Sequence, residues 1–526
     1  MNRSEQLIKL QQTEKWDVII IGGGASGLGT ALDAASRGYK TVLVEAVDFA
    51  KGTSSRSTKL VHGGVRYLEQ GNISLVREAL KERGLMEKNA NHLVKNQTFI
   101  IPNYTWWAGI FFTIGLSIYD VLAGRLSLGK SKYISKKKTI ELLPTVEQRE
   151  LKSGVVYHDG QFDDARMAIN LAQTAIENGA CVLNYIKVIE LLKDNNHKII
   201  GVKVENKESG GKFELKGKAI INATGVFTNS IMKMNDLLYK KYIVPSQGIH
   251  LVFDKSFLPS ENALMVPKTS DGRVLFAVPW HDKIVVGTTD TLIKSHSLEP
   301  IALEKEIAFV LETAQQFLSK KPTRADVLSV FAGLRPLAAP KEKGQSTKEV
   351  SRSHKIIVSE TGLITITGGK WTTYRKIAED IIDKAITVHH LPKSICRTEH
   401  LSIHGNTSTS DLDRKNHLYI YGTDIPKILQ LKETQPELNE KLHPNYEYTM
   451  AEVVWAIRNE MAQTIEDVLA RRVRLLFLDA RAAIECTEKV GYILAQEWGK
   501  DELWKQNQIS TFKSLANGFL LKEFQL

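Results

Sequence analysis

The sequence predicts an α/β fold in which a doubly wound parallel sheet is interrupted by an antiparallel sheet and followed by a helical C-terminal domain. Three observations support this prediction. A glycine-rich turn lies between two apolar runs near the N-terminus, several strand-like runs are joined by short turns, and helical patterning takes over after Pro392. At roughly 150 residues per domain, a chain of this length contains about three domains.

The first β-α-β unit carries a dinucleotide-binding pattern. Residues 18–21 form a β-branched run typical of a buried parallel strand, and Gly22, Gly24 and Gly27 follow with the spacing G-x-G-x-x-G. Such glycines allow a tight turn, close approach of the backbone to a pyrophosphate and close helix–strand packing. Glu45 ends the second apolar run, where its carboxylate can accept a hydrogen bond from a ribose hydroxyl. The unit therefore predicts a Rossmann-like domain.

The middle of the chain predicts antiparallel strands, because its apolar runs are joined by short turns rich in Asn, Asp and Gly. These strands are predicted at residues 186–192, 199–205 and 212–215, which form a meander, at 249–253, 263–266, 274–279 and 283–287, and as a hairpin at 355–358 and 363–367. The meander leads into a further buried strand at 219–222. Helices are predicted at residues 372–386, 451–469 and 481–497.

Composition narrows the class of protein. Three widely separated cysteines, Cys181, Cys396 and Cys486, exclude a disulfide framework and a clustered metal site, and favour a reducing compartment. The N-terminal residues contain no apolar signal segment, so we expect a cytoplasmic protein. The net charge of +11 suits an anionic substrate, anionic lipid or nucleic acid. RNA-binding patterns are not recognisable in the sequence, and we therefore expect no nucleic-acid partner.

Two polar segments with glycines are suited to hold a nucleotide cofactor. The first offers hydroxyl, cationic and backbone N–H donors, and its glycines permit close backbone approach. Its candidate residues are Ser54, Ser55, Lys59, His62, Gly63 and Gly64. In the second, Gly368 and Gly369 precede Lys370 and a predicted helix, so N–H groups and the helix dipole can stabilise negative charge. Lys370 can serve the charge of the cofactor or of the substrate.

Taken in order, these motifs resemble those of FAD-dependent glycerol-3-phosphate dehydrogenases. The resemblance spans residues 17 to about 390, and EWG at residues 497–499 is similar to the helical cap of that family. It is carried by TSSRSTKLVHGGVRYLE at residues 53–69, DDAR at 163–166, NATG at 222–225, PW at 279–280, GTTD at 287–290, GLRPL at 333–337 and GGKWTTYR at 368–375.

The resemblance implies FAD as cofactor, sn-glycerol 3-phosphate as substrate and a membrane quinone as electron acceptor. It also adds Ala223, Gly225 and Thr372 to the residues expected to bind the cofactor. We predict an FAD-binding domain, a substrate domain and a helical C-terminal domain, and we consider a homodimer possible. Their boundaries are predicted at residues 1–95, 150–240 and 330–392 for the first, 96–149 and 241–329 for the second, and 393–526 for the third.

A phosphorylated triol needs a cationic clamp, and arginine can bind phosphate through two parallel hydrogen bonds. The candidate substrate-binding residues are Arg66, Tyr67, Arg335, Arg352 and Lys370. Oxidation of the alcohol requires a base, and a histidine with a near-neutral pKa suits this role. His250 is the candidate, because the resemblance places a histidine of this strand beside the substrate. Arg335 would assist His250 by lowering the pKa of the alcohol through its charge.

The electron acceptor is predicted to be a quinone or dioxygen, because no second G-x-G-x-x-G follows a strand. A glycerol-3-phosphate oxidase is therefore the main alternative. A more distant alternative is an amine or amino-acid oxidase, whose chemistry does not require several clustered cations.

An apolar segment next to a basic cluster suggests contact with a membrane. Residues 96–119 contain no charged residue, and residues 106–118 are densely apolar with two adjacent tryptophans. Pro102-Asn103 interrupts the segment, so we predict an interfacial segment or a core helix and not a membrane span. The basic residues that follow are Arg125, Lys130, Lys132, Lys136, Lys137 and Lys138. We therefore expect a peripheral enzyme on the cytoplasmic face of the inner membrane, in contact with anionic lipid.

Overall fold

The computed structural model describes residues 1–65, 68, 71–236, 238–239, 243–338, 354–408 and 412–521. The strands are β1 (Trp16–Ile21), β2 (Thr41–Val44), β3 (Leu60–Val61), β4 (Lys95–Asn103), β5 (Lys132–Ser135), β6 (Ser153–Gln161), β7 (Cys181–Leu183), β8 (Ile186–Lys193), β9 (Ile199–Asn206), β10 (Lys212–Asn222), β11 (Ile243–Asp254), β12 (Ala263–Val266), β13 (Leu275–Trp280), β14 (Lys283–Gly287), β15 (Thr291–Leu292), β16 (Ser329–Ala338), β17 (Lys355–Val358) and β18 (Ile364–Thr367). The α-helices are α1 (Arg3–Gln12), α2 (Ala25–Ser36), α3 (Ile73–Asn89), α4 (Trp106–Ala123), α5 (Lys136–Leu142), α6 (Asp164–Glu177), α7 (Thr228–Asn235), α8 (Glu304–Phe317), α9 (Tyr374–His389), α10 (Ile425–Thr434), α11 (Met450–Asn459), α12 (Leu475–Leu478), α13 (Ala480–Glu485), α14 (Thr487–Trp498) and α15 (Glu502–Ala516).

The first sheet confirms the predicted parallel α/β core. Its strand order is β17-β18-β10-β1-β2-β7, and β18, β10, β1, β2 and β7 run parallel. Val18 and Ile20 of β1 face a core that includes α2, α6 and α9, whereas Ile19 and Ile21 face the opposite core. That second core is covered by α1, α7 and the meander β8-β9-β10. The sheet is therefore buried on both faces, which explains the continuous apolar run of β1.

Strand β10 is longer than predicted, because residues 212–215 and 219–222 belong to one strand. Its first half pairs antiparallel with β9, and its second half pairs parallel with β1. Gly217 continues the strand opposite Trp16 and does not begin a turn. The meander thus leads directly into the parallel sheet.

The second sheet contains more of the chain than the predicted substrate domain. Its order is β15-β11-β14-β13-β12-β4-β6-β3, with β16 beside β11 and β5 beside β6. Strands β3 and β6, and β16 from residue 330 onward, lie within the ranges predicted for the FAD-binding domain, so this sheet contains strands from both predicted ranges. The reason is long-range pairing: β6 pairs with β4 over nine residue pairs, and β16 pairs with β11 over ten. Helix α8 covers one face of this sheet, and the other face contains Phe99 and Tyr157.

The C-terminal part is helical as predicted, but its helices are shorter. The helix predicted at 451–469 ends at Asn459 and is followed by a π-helical turn, Asp467–Arg472. The helix predicted at 481–497 is divided at Cys486 into α13 and α14. The apolar residues of these helices form one continuous core with those of α2 and α9. The C-terminal helices therefore pack directly on the first sheet and its helices.

Helix α4 is the most exposed apolar element among the described residues. Within the described ranges, Trp106–Leu126 is one helical segment that is long and apolar enough to cross a membrane by length and composition. Only Gly109, Leu116 and Tyr119 of the helix are buried. These three residues form one stripe along the helix, which packs against β6, β5 and α3. The predicted apolar segment is thus divided between strand β4 and this helix.

Candidate functional site

The glycine-rich turn between β1 and α2 is closely packed. Gly22 has φ +112°, and a Cβ atom there would lie 2.8 Å from the carbonyl oxygen of Ala223. A Cβ at Gly27 would overlap the carbonyl oxygen of Gly22, so only glycine lets α2 approach the turn. The N-cap of α2 is Gly24, which has no side chain to cap the helix. Its first turn therefore presents backbone N–H groups to an anion at the end of β1.

Glu45 lies beside this turn, directly after β2. Its carboxylate accepts hydrogen bonds from the backbone N–H groups of Gly23 (2.6 Å) and Val47 (2.9 Å). Burial raises the pKa of Glu45 above its usual value. A carboxylate offers about four acceptor positions, so this side chain can accept further hydrogen bonds from hydroxyl groups.

The polar segment 54–64 connects the turn to the Gly368-Gly369-Lys370 segment. Ser54 Oγ accepts a hydrogen bond from Ala25 N–H in the first turn of α2 (2.9 Å). The Ser54 carbonyl oxygen accepts a hydrogen bond from Trp371 Nε1 (2.8 Å), and His62 N–H donates to Thr372 Oγ1 (3.2 Å). The fold therefore brings together the two segments that were expected to bind the cofactor.

The remaining predicted cofactor residues lie at the ends of neighbouring strands. Ala223 follows β10, and its N–H donates to the Ile21 carbonyl oxygen at 2.9 Å. Gly225 begins the short helical turn that leads to α7. Lys370 stands at the N-cap of the turn Trp371–Thr373, directly before α9. Ser55 is buried beside Ser54.

The ammonium group of Lys59, a predicted cofactor residue, is paired inside the protein. Its ammonium group lies 2.7 Å from Asp164 Oδ2 and 2.7 Å from the carbonyl oxygen of Ser55, and the side chain is fully buried. Arg474 Nη2 donates to the other oxygen of Asp164 at 2.9 Å. Burial lowers the pKa of Lys59 to about 7. Lys59 thus anchors the segment to α6, because a buried ammonium group is far more stable beside the Asp164 carboxylate than without an anionic partner.

A cavity of about 220 Å³ lies between the 58–65 segment and the second sheet. Its apolar walls come mainly from the face of the sheet that contains Phe99 and Tyr157. The polar or charged side chains that line it are Thr58, His62, Asp159, Arg273, Thr288, Thr289, Asp290 and Arg335. This combination of apolar walls and few convergent polar groups is typical of a site for a small ligand.

Arg335 extends from β16 into this cavity. Its Nη2 donates to Thr288 Oγ1 at 3.1 Å, and its Nη1 lies 3.7 Å from Asp290 Oδ1. Thirty-one per cent of its side chain is exposed, so the guanidinium can reach a ligand in the cavity. Asp290 in turn accepts a hydrogen bond from Ser246 Oγ. These partners orient the guanidinium from one side.

His250 lies behind the cavity wall on β11. Its Nε2 is 2.9 Å from Thr58 Oγ1, and its ring stacks on Phe331 with the centroids 4.9 Å apart. Only 2% of the residue is exposed. Burial, followed by the charges of Lys59 and Arg335, holds the pKa of His250 well below its usual value. The imidazole is therefore neutral around pH 7 and can accept a proton.

Three predicted substrate residues, Arg66, Tyr67 and Arg352, lie outside the described residues. The structure also adds residues that we did not select from the sequence. Thr288 and Asp290 belong to the GTTD motif, which carried the resemblance without being assigned a role. Thr58 lies within the segment expected to bind the cofactor, and the sequence assigned it no role of its own.

A further unpredicted group connects helix α4 to the cofactor segment. Gly63 N–H donates to Tyr119 Oη at 2.7 Å, and Tyr119 Oη donates to Asp159 Oδ2 at 2.9 Å. Asp159 Oδ1 accepts a hydrogen bond from Arg83 at 2.8 Å. All three side chains are buried. The sequence did not indicate this group, because Arg83, Tyr119 and Asp159 are far apart in the chain and Tyr119 lies in an apolar helix.

Comparison with protein families gives two matches. A family model described as FAD dependent oxidoreductase matches residues 17–375. A second model, described as C-terminal domain of alpha-glycerophosphate oxidase, matches residues 359–505. Together they cover the two sheets and most of the C-terminal helices.

Comparison with curated proteins finds mitochondrial glycerol-3-phosphate dehydrogenases. The chain is 38% identical over 542 residues to the enzyme of Mesocricetus auratus, an alignment that covers 97% of this chain and 74% of that protein. It is 37% identical over 565 residues to the enzyme of Schizosaccharomyces pombe, with 95% of this chain and 87% of that protein covered.

Among solved structures, glycerol-3-phosphate dehydrogenase from Bacillus halodurans complexed with FAD matches with a TM-score of 0.81. The two chains are 27% identical, and the match covers 100% of this chain and 99% of that chain. L-alpha-glycerophosphate oxidase from Mycoplasma pneumoniae with FAD bound matches with a TM-score of 0.55 at 18% identity, covering 73% of this chain and 97% of that chain. This second likeness concerns the fold.

Proposed function

Because the chain belongs to the FAD-dependent glycerol-3-phosphate dehydrogenases, we propose that it oxidises sn-glycerol 3-phosphate to dihydroxyacetone phosphate and passes the electrons to a membrane quinone. The observation that carries the proposal is the cavity in which Arg335 and Thr58 face the same space, with His250 directly behind Thr58. A cation and a proton acceptor are the two groups that oxidation of a phosphorylated alcohol requires.

The residues at the ends of β1, β2 and β18 fit FAD. The turn at Gly22 and Gly24 presents no side chain of its own to a pyrophosphate, Ser54 Oγ lies at the N-terminus of α2, and Glu45 stands where a ribose would bind. Segment 58–64 links this end to the cavity. Bound FAD supplies the acceptor for the hydride of the substrate. Gly368, Gly369 and Lys370 would stabilise negative charge on the reduced cofactor.

In the proposed mechanism, Arg335 binds the phosphate dianion, and its charge also favours the deprotonated alcohol. Neutral His250 takes up the hydroxyl proton as the hydride leaves carbon. A bound dianion offsets the charge of Arg335, which raises the pKa of His250 toward a value suited to a base. Arg66, Tyr67 and Arg352 remain predicted partners of the substrate.

We further propose that α4 and the basic cluster hold the enzyme on anionic lipid. The exposed apolar side chains of α4 include Trp106 (66% exposed), Trp107 (81%) and Phe111 (62%). The six basic residues from Arg125 to Lys138 are all exposed beside it. Because the buried stripe of α4 packs on the protein along its length, the helix can lie on a bilayer without leaving the sheet. Such a position would bring the flavin enzyme to its quinone.

Removal of the charges at Lys136, Lys137 and Lys138 is expected to weaken binding to anionic vesicles. Each cation near an anionic surface contributes about 1 kcal/mol, so the triple alanine variant should bind about a hundredfold more weakly. The matched control replaces the exposed Lys207, Lys212 and Lys216 of the β-meander. Cosedimentation with vesicles that contain phosphatidylglycerol measures both variants. Equal binding of the two variants would contradict the lipid contact.

The proposed function is tested by anaerobic bleaching of the flavin in the purified holoenzyme. sn-Glycerol 3-phosphate should bleach it, and a soluble quinone should restore the colour rapidly whereas air restores it slowly. The alternative, a glycerol-3-phosphate oxidase, is favoured by the match of residues 359–505 to an oxidase C-terminal domain. Rapid recovery in air with release of peroxide would establish that alternative. Failure of the substrate to bleach the flavin would refute both.

A further inference from the structure

Thr58 stands between the predicted base and the cavity. Among the described residues, the cavity lining includes Thr58 and Arg335 but not His250. The imidazole lies flat on Phe331, and its Nε2 is directed at Thr58 Oγ1. A ligand in the cavity therefore meets the threonine hydroxyl before it meets the imidazole.

The backbone on both sides of Thr58 is fixed to a single carboxylate. Ser57 donates to Asp164 Oδ2 through its N–H (3.0 Å) and its Oγ (2.7 Å), and Lys59 donates to the same oxygen at 2.7 Å. Arg474 completes the buried group from the C-terminal part of the chain. Such support holds a reacting side chain within a narrow range of positions. The buried Lys59 therefore helps to position Thr58, the residue that precedes it.

We propose that Thr58 is a catalytic residue that relays the hydroxyl proton of the substrate to His250. This inference rests on the proposed function. The substrate O–H bond breaks and its proton passes to Thr58 Oγ1, while the proton of Thr58 passes to Nε2 of neutral His250. A hydride leaves the carbon that bears this hydroxyl and is accepted by FAD. The alcohol thus loses two electrons and two hydrogens and becomes a ketone. Thr58 ends the step as a hydroxyl and His250 as an imidazolium.

A threonine hydroxyl can serve both partners at once. It has one donor and two acceptor positions, so it can accept from the substrate while it donates to Nε2. The relay requires the tautomer in which His250 carries its proton on Nδ1 and presents Nε2 as the acceptor. Loss of the hydroxyl would separate the buried imidazole from the cavity by a methyl group.

The test compares Thr58→Val with Thr58→Ser in stopped-flow bleaching of the holoenzyme by sn-glycerol 3-phosphate. Valine keeps the shape of threonine but removes the hydroxyl, and the bleaching rate should fall at least about a hundredfold. Serine restores the hydroxyl and should keep the rate within about fivefold of the parent rate. Flavin absorbance of each purified variant shows whether FAD is bound. The substrate concentration that gives half-maximal rate should change little in either variant.

A double-variant cycle separates the relay from a structural role. In a His250→Gln background, Thr58→Val should cause no further loss, because both residues act on one proton. A rate for Thr58→Val close to that of the parent enzyme would overturn the relay. So would a Thr58→Ser variant as slow as Thr58→Val, or two losses that multiply in the double variant. If the parent enzyme itself is not bleached, the proposed function fails, and the relay fails with it.

Discussion

Replacement of Arg335 by alanine is expected to lower kcat/KM for sn-glycerol 3-phosphate at least about a thousandfold while FAD stays bound. Two charge-assisted hydrogen bonds to a phosphate are each worth about 1.5–3 kcal/mol, and both are lost with the guanidinium. FAD should remain, because the guanidinium contacts Thr288 and Asp290, and the substitution leaves the turn at Gly22 and the Glu45 carboxylate unchanged. Steady-state kinetics together with flavin absorbance measures both expectations.

Three controls accompany this variant. Arg335→Lys keeps the charge but loses the planar fork, so its kcat/KM should lie between those of the parent enzyme and the alanine variant. Glycerol, which lacks the phosphate, separates phosphate binding from the effect of the charge on the alcohol: Arg335→Ala should lower any turnover of glycerol far less than that of sn-glycerol 3-phosphate. Arg324→Ala, at an arginine that pairs with Glu304 on the surface, should have no effect. Normal turnover of glycerol phosphate by Arg335→Ala would remove Arg335 from the site.

The sequence predicted those features whose structure is determined by residues close together in the chain. The spacing of Gly22, Gly24 and Gly27 identified the turn because a tight turn and a close helix are local requirements. Glu45 followed from its place at the end of a strand. The strand at 263–266 was predicted with its observed bounds, since a short apolar run with turns on both sides leaves little choice of register.

Contacts between distant residues could not be predicted in this way. The pairing of Lys59 with Asp164 was not predicted, because Asp164 lies 105 residues further along the chain, and Arg474 lies a further 310 residues from that carboxylate. The pairing of β6 with β4 moved a strand from one predicted domain to another for the same reason. The proposed role of Thr58 depends on its contact with His250, which lies on the distant strand β11. A hydroxyl in a run of hydroxyls has no distinguishing pattern until its partner is known.

The C-terminal helices are joined to the nucleotide-binding half through a second buried carboxylate, Asp48. Its Oδ2 accepts hydrogen bonds from Arg471 at 2.6 Å and from Arg472 at 2.8 Å, and its Oδ1 accepts from Arg472 and Asn184 at 3.0 Å. The residue is fully buried. The two arginines hold the pKa of Asp48 far below its usual value, against the opposing effect of burial.

Asp48→Asn is therefore expected to reduce the free energy of unfolding by about 3 kcal/mol, the lower end of the range for a broken buried ion pair, because Arg472 loses both hydrogen bonds to the carboxylate whereas Arg471 keeps Glu466 and Asp467 as partners. The change should appear as a lower midpoint of unfolding in urea. Tryptophan fluorescence follows unfolding of the chain, and release of FAD follows loss of the nucleotide-binding part. The control Glu488→Gln removes an exposed carboxylate that pairs with Lys513, and should cost less than about 1 kcal/mol. Equal midpoints for Asp48→Asn and the parent protein would show that the cluster does not stabilise the fold.

The pH dependence distinguishes loss of this charge from a simple packing defect. Because the pKa of Asp48 is depressed in the folded state, its contribution is fully present above the unfolded value of about 3.9 and is lost as the pH falls toward the folded value. The difference in stability between the parent protein and Asp48→Asn should thus be constant near neutral pH and shrink below about pH 4. A packing defect would leave the difference unchanged in acid. Since Asp48 lies three residues after Glu45, in the segment that follows β2, loss of its ion pairs with Arg471 and Arg472 should also weaken FAD binding before the chain unfolds.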